Sequence, residues 1–190
     1  GPIFQQPRQF FAEIRQGVRL SDKIWSLFIS STVFLTVYGA ILGSGYPLLS
    51  LNVALTMPFL FLSSLITCLP VMYLFDVLTG SQRSLAQVVA VLLTSLCSAS
   101  TVFFSFAPII VVSSLAGNLS QFFWMNLAVL ALAALVGLIY TAQGIMQTAC
   151  VDPNHPLSKN NQRLHLLWML LYLVVMIQMA WGALTFFERT

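Results

Sequence analysis

The sequence predicts an all-α, polytopic membrane protein: a bundle of five transmembrane helices preceded by an N-terminal amphipathic interfacial helix. Composition is the first reason, with 58% apolar and only 7% charged residues in a chain of 190, where soluble domains carry about 25% charged. Length is the second: the apolar runs at about 24–43, 52–78, 85–108, 122–147 and 164–187 each supply the roughly 20 residues that cross a hydrocarbon core. The third is the placement of charge. Between Lys23 and Asp152 only Asp76 and Arg83 are charged, and both belong to one turn.

Gly1-Pro2 reads as the scar of a removed purification tag and is set aside from fold reasoning. Residues 3–20 form the amphipathic segment. The spacing predicts a helix over Arg8–Arg19 with Phe10, Phe11, Ile14 and Val18 on one face and Arg8, Gln9, Glu13, Arg15, Gln16 and Arg19 on the other. Such a helix can lie in the headgroup boundary, its aromatic face inward, while Arg8, Arg15, Arg19 and Lys23 meet anionic lipid at about 1 kcal/mol each. A plain lead-in that anchors the next helix is the alternative.

The spanning domain, residues 21–190, opens with Ser21 as N-cap and Asp22 in the first helical turn. Its first span ends at Gly39 and Gly43, four apart, which leaves backbone that a neighbouring helix can approach closely. The next run contains Pro58 and Pro70. Each removes a backbone donor, so a tilt or a bend is expected, with the freed carbonyls served by neighbours such as Ser63, Ser64 or Thr67. A broken helix can line a transporter's site, and ordinary span prolines line nothing. Gly80 suits a helix end, and Ser84-Leu85-Ala86-Gln87 is a capping box that starts the next helix.

The third span places Thr94, Ser98, Thr101 and Ser105 on one stripe, at spacings of 4, 3 and 4 beside Cys97. Hydroxyls are wasted on lipid. They face another helix or a polar cavity, or they bond back to their own helix's carbonyls. Pro108 is the expected break in this long run. The fourth span opens on Phe122, Phe123 and Trp124 and carries Ala134, Gly137, Thr141, Gly144 and Thr148 at alternating spacings of 3 and 4, a small-residue packing seam. Asn126 and Gln143 each need a partner there, which predicts that this helix lies inside the bundle.

The loop 150–163 is polar and solvated. Cys150, Asp152, His155 and His165 lack zinc spacing, so no metal is expected from them. Cys68 and Cys97 read as small apolar packing residues. With five spans the connections alternate sides. Arg8, Arg15, Arg19, Lys23, Arg83, Lys159 and Arg163 then share one side and Arg189 lies on the other. That asymmetry predicts a cytosolic N-terminus and a C-terminus on the opposite side.

No ionisable residue falls near the middle of any expected span, where proton relays, ion-coupled carriers and voltage sensors place them. There is no buried lysine for retinal, no Gly-rich phosphate loop, no His-Glu-x-x-His and no serine nucleophile elbow. An enzyme is not expected, nor is a cofactor or nucleic acid. Asp76 is the polar residue best placed for a specific role, and a local pair with Arg83 is the plainer account of it.

Three stretches carry a family resemblance: Phe10-Phe11-Ala12-Glu13-Ile14-Arg15-Gln16-Gly17, Ser30 to Gly39 ending in Val37-Tyr38-Gly39-Ala40, and Pro58-Phe59-Leu60 through Gly80-Ser81-Gln82-Arg83-Ser84. With five spans and a cytosolic N-terminus, the chain resembles the bacterial branch of the Yip family, whose eukaryotic members interact with Rab GTPases in membrane traffic. The Asp-Leu-Tyr-Gly-Pro signature of those eukaryotic members is absent. The resemblance implies a non-enzymatic membrane adaptor or membrane-organising protein. Anionic lipid and either a second copy or another membrane protein are its expected partners. The competing expectation is a passive channel or carrier for a small neutral or lipidic solute, lined by the hydroxyl stripe and the proline-containing span.

Overall fold

A computed structural model describes residues 7–43, 47–78, 84–115 and 119–148. The described residues are helical, without strands: α1 Pro7–Arg15, α2 Leu20–Leu42, α3 Pro47–Leu78, α4 Leu85–Leu115 and α5 Leu119–Thr148. Within them the segments Leu20–Leu42, Leu51–Leu74, Leu85–Ser113 and Gln121–Gln147 are four helices long and apolar enough to cross a membrane, as an integral membrane protein requires. The fifth expected span, 164–187, and the loop 150–163 lie outside the described residues.

Local sequence explains most of the helix boundaries. Ser84 and Gln87 form the expected capping box: the Gln87 amide donates to Ser84 Oγ at 3.3 Å and the Ser84 amide donates to Gln87 Oε1 at 2.9 Å. Pro47 occupies the first turn of α3, where its missing N–H costs nothing. Asp22 lies in the first turn of α2 as expected, but Ser21 does not cap it. The N-cap is Arg19, in the left-handed conformation at φ 47°, without a side-chain cap bond.

The expected break at Pro108 is replaced by continuous helix, and helix also runs on through the two prolines of α3. Pro58 and Pro70 lie inside α3, and Pro108 lies inside α4, which runs on to Leu115. Where no water can serve the backbone, helix is the conformation that satisfies most of it, so the ladder resumes beyond each proline. Ser63 and Thr67 do not serve the freed carbonyls. They donate to Leu60 O and Ser63 O of their own turns.

Helix α4 is the centre of the bundle, packed along α2 and α5 and touched by α3. Every residue from Ala90 to Ser100 is buried. The sequence predicts that α5 lies inside the bundle; among the described residues it packs along α4 and leaves Leu132, Leu135, Ile139 and Met146 exposed. Small side chains decide the difference. Ala90, Thr94, Ser95, Ser98, Ala99 and Ser100 go all the way round α4 and let neighbours close in from several sides.

Three glycines mark the closest approaches. A Cβ on Gly39 of α2 would lie 2.8 Å from Val53 O and 3.0 Å from Ala54 Cα of α3. On α5, Gly137 sits against Ser95 and Ala99, and Gly144 against Val91. Toward the end of the bundle away from α1, the Phe103 ring meets Tyr38 at 4.9 Å and Phe61 at 5.6 Å between centroids, and Phe34 stacks on Phe104. Antiparallel order puts α1, the start of α2, the end of α3, the start of α4 and the end of α5 at the opposite end.

Candidate functional site

The most elaborate local arrangement is the seat of α1 on α4 and α5. The helix ends in a Schellman motif: Gly17 has φ +72°, its amide donates to Ile14 O, and the Val18 amide donates to Glu13 O, both at 3.1 Å. The helix is therefore shorter than the expected Arg8–Arg19, and Val18 is exposed rather than part of the apolar face. That face is turned into protein. Phe11 and Ile14 are fully buried and Phe10 nearly so.

Phe11 owes its place to Gly144. A Cβ there would stand 3.0 Å from Phe11 Cε1 and 2.6 Å from Val91 Cγ1, so only glycine leaves room for both side chains. Gln87 closes the other end. Having used its amide N–H and Oε1 in the α4 cap, it donates Nε2 to Ile14 O at 3.3 Å and to Arg15 O at 2.9 Å. One side chain thus starts α4 and finishes α1. A third tie comes from α2, where Lys23 Nζ lies 2.6 Å from Glu13 Oε2 and 5.3 Å from the Phe10 ring centroid.

These ties differ in weight. Burying Phe11 and Ile14 is worth about 1.5–3 kcal/mol each relative to water, and the Gln87 bonds about 0.5–1.5 kcal/mol each. The Glu13 side chain is 53% exposed, so its pair with Lys23 adds roughly 0–1 kcal/mol. Apolar seating dominates, and the polar ties fix register.

This arrangement alters the expected lipid contacts. Phe10, Phe11 and Ile14 are buried in protein instead of among headgroups, Phe11 against Gly144 of α5 and Phe10 beside Lys23 of α2, because a notch that fits Phe11 offers close packing that fluid lipid does not. Lys23 is held by Glu13 and Phe10. Arg15 and Arg19 are exposed and remain open to a lipid surface. The Arg8 side chain lies outside the described residues.

The hydroxyl stripe is largely closed on itself. Thr94 donates to Ala90 O at 2.7 Å, and Ser98 to Thr94 O, Thr101 to Cys97 O and Ser105 to Thr101 O, each at 2.8 Å. Thr94 and Ser98 are buried and Ser105 is exposed, so the stripe does not follow a single surface. The hydroxyl that does cross between helices is Ser95, which donates to Gly137 O at 2.7 Å, and Thr141 donates to the same carbonyl at 2.9 Å. Ser95 lies one residue off the stripe. Its signal was the small pair Ser95 and Ala99, four apart, facing Gly137.

Asn126 has its partner: Tyr38 Oη donates to its Oδ1 at 3.0 Å, and its Nδ2 donates to Phe122 O. Gln143 is half-buried, as is Ala134. Gly43 closes α2, its amide donating to Gly39 O. Asp76 is buried in the last turn of α3, at the end of the bundle where α1 sits, and Arg83 lies outside the described residues. Among the described residues no three His, Cys, Asp or Glu side chains come together as a metal site. No family model, curated protein or solved structure matches the chain.

Proposed function

We propose that this protein is a non-enzymatic integral membrane adaptor or membrane-organising protein that works through protein and lipid contacts, including self-association or the binding of another membrane protein. This is also what the resemblance to the Yip family implies. Its N-terminus lies in the cytosol, in a bacterial cytoplasmic or an internal membrane, and the basic residues on one set of connections support that orientation. The working face combines exposed Arg15 and Arg19, which suit anionic headgroups, with the turn 76–84 and the loop 150–163.

One observation carries the choice of an adaptor over a conduit. The hydroxyls of Thr94, Ser95, Ser98, Ser100, Thr101, Ser105 and Thr141 all bond to helix carbonyls. A solute path needs polar groups that face an opening and exchange partners with the solute. Hydroxyls bound to carbonyls serve packing.

Crosslinking in native membranes, followed by mass spectrometry, tests the proposal. A recurrent protein partner or a second copy, crosslinked at defined positions, is the expected result. Recovery of monomer alone, together with solute flux in reconstituted vesicles above that of empty ones, would overturn it in favour of a passive channel or carrier.

A further inference from the structure

The connection between α1 and α2 holds a conflict between local sequence and observed structure. Arg19 is the one non-glycine residue at positive φ among the described residues, a conformation that L side chains other than Asn and Asp rarely adopt. Two residues on, Ser21 carries the natural N-cap signal, followed by Asp22, yet the helix has been pulled back to Leu20 and the serine caps nothing. Opening the connection relieves both faults. Residues 16–20 can extend, and α2 can begin at Ser21 with its own cap.

Opening costs α1 its seat, and the seat is transferable. Apart from the turn bonds of residues 12–19, the ties described above join α1 to groups beyond the connection: Lys23, Gln87, Val91 and Gly144. A second copy presents the same groups. A nine-residue helix is too short to persist alone in water, so an arm that leaves one groove needs another. Five extended residues reach about 17 Å, enough to cross to a neighbouring bundle.

We propose that α1 is an exchangeable arm and that the α4–α5 groove receives the α1 of a second copy of this chain, in a two-fold dimer. This rests on the self-association included in the proposed function. The exchanged dimer keeps the seat, the Gln87 bridge and the Glu13–Lys23 pair, and loses the left-handed Arg19.

The test uses the full chain with Cys68, Cys97 and Cys150 replaced by alanine. Arg15→Cys and Ala86→Cys, both at exposed positions flanking the Gln87 bridge, are placed on separate copies with tags of different size. The copies are coexpressed and treated in native membranes with a short bis-maleimide. A product carrying both tags is expected, and with both cysteines in one chain, a covalent dimer on a denaturing gel. Glu13→Cys with Lys23→Cys repeats the measurement at the ion pair. Arg19→Gly, which holds the closed turn without strain, should lower the mixed product about tenfold. A double-cysteine chain that closes on itself, without mixed product, while native mass spectrometry records a dimer, would overturn the exchange and leave self-association standing. Monomer in both measurements would overturn both.

Discussion

Gly144→Ala is the sharpest perturbation of the α1 seat. The added methyl would lie 2.6 Å from Val91 Cγ1 and 3.0 Å from Phe11 Cε1, against the 3.5–4.0 Å of ordinary carbon contacts. Both neighbours are fully buried. Val91 belongs to the central helix, so Phe11 is the one that must move. Overpacking of this kind costs about 1–3 kcal/mol, and the middle of that range corresponds to about a 30-fold change in an equilibrium constant. The alanine also strengthens α5 as a helix by about 1 kcal/mol, so the thermal midpoint of the whole bundle should shift little. Amide hydrogen exchange separates the two effects: protection of α1 should fall about 30-fold while the middle of α4 keeps its own. Protection in α1 that stays within about twofold of the parent would refute the notch as the basis of docking.

Gln87→Glu keeps an acceptor for the Ser84 amide but aims a carboxylate at the Ile14 and Arg15 carbonyls, so exchange should quicken in α1 and stay unchanged at the start of α4; Gln87→Ala should loosen both, by about 1 kcal/mol at the cap. Ser95→Ala removes an interhelical bond and should lower stability in detergent by about 0.6 kcal/mol. Ser98→Ala removes only a bond to its own helix and should be neutral or slightly stabilising. Gly39→Ala sets a methyl against α3 backbone that cannot rotate away, and a loss of about 1–3 kcal/mol in unfolding free energy is expected.

Features that depend on a few consecutive residues were legible in the sequence. The Ser84 to Gln87 cap, Asp22 in a first turn and the close approach at Gly39 follow from local chemistry, and the structure carries each of them. Of the four apolar residues whose spacing predicts one face of α1, Phe10, Phe11 and Ile14 are buried and Val18 is exposed beyond the helix end. What that face meets was not legible, because spacing reports that a face is buried and leaves open whether lipid or protein covers it. The notch at Gly144 exists only once α4 and α5 are side by side. The sequence predicts Gln87 only as part of a cap, and its reach to α1 depends on a contact between residues more than seventy apart. Pro108 does not break its helix, because in a span the surroundings enforce helix on either side of a proline whose cost on an isolated helix would end it. Ser95 stands outside the periodic stripe, whose hydroxyls bond within their own helix, and its bond to Gly137 O depends on α5 lying alongside.

Among the described residues the hydroxyls of α4 bond to carbonyls of their own helix or of α5, and the proposed adaptor requires no water path beside them. Ser98, 1% exposed and bonded to Thr94 O, is the position to probe. In a chain whose native cysteines are replaced by alanine, Ser98→Cys in sealed vesicles should stay unmodified by a charged methanethiosulfonate reagent added to either side. Gln16→Cys, at an exposed turn, should react fully from one side. Modification of the cysteine at 98 on the time scale of the one at 16 would contradict the proposal and place water at the centre of the bundle.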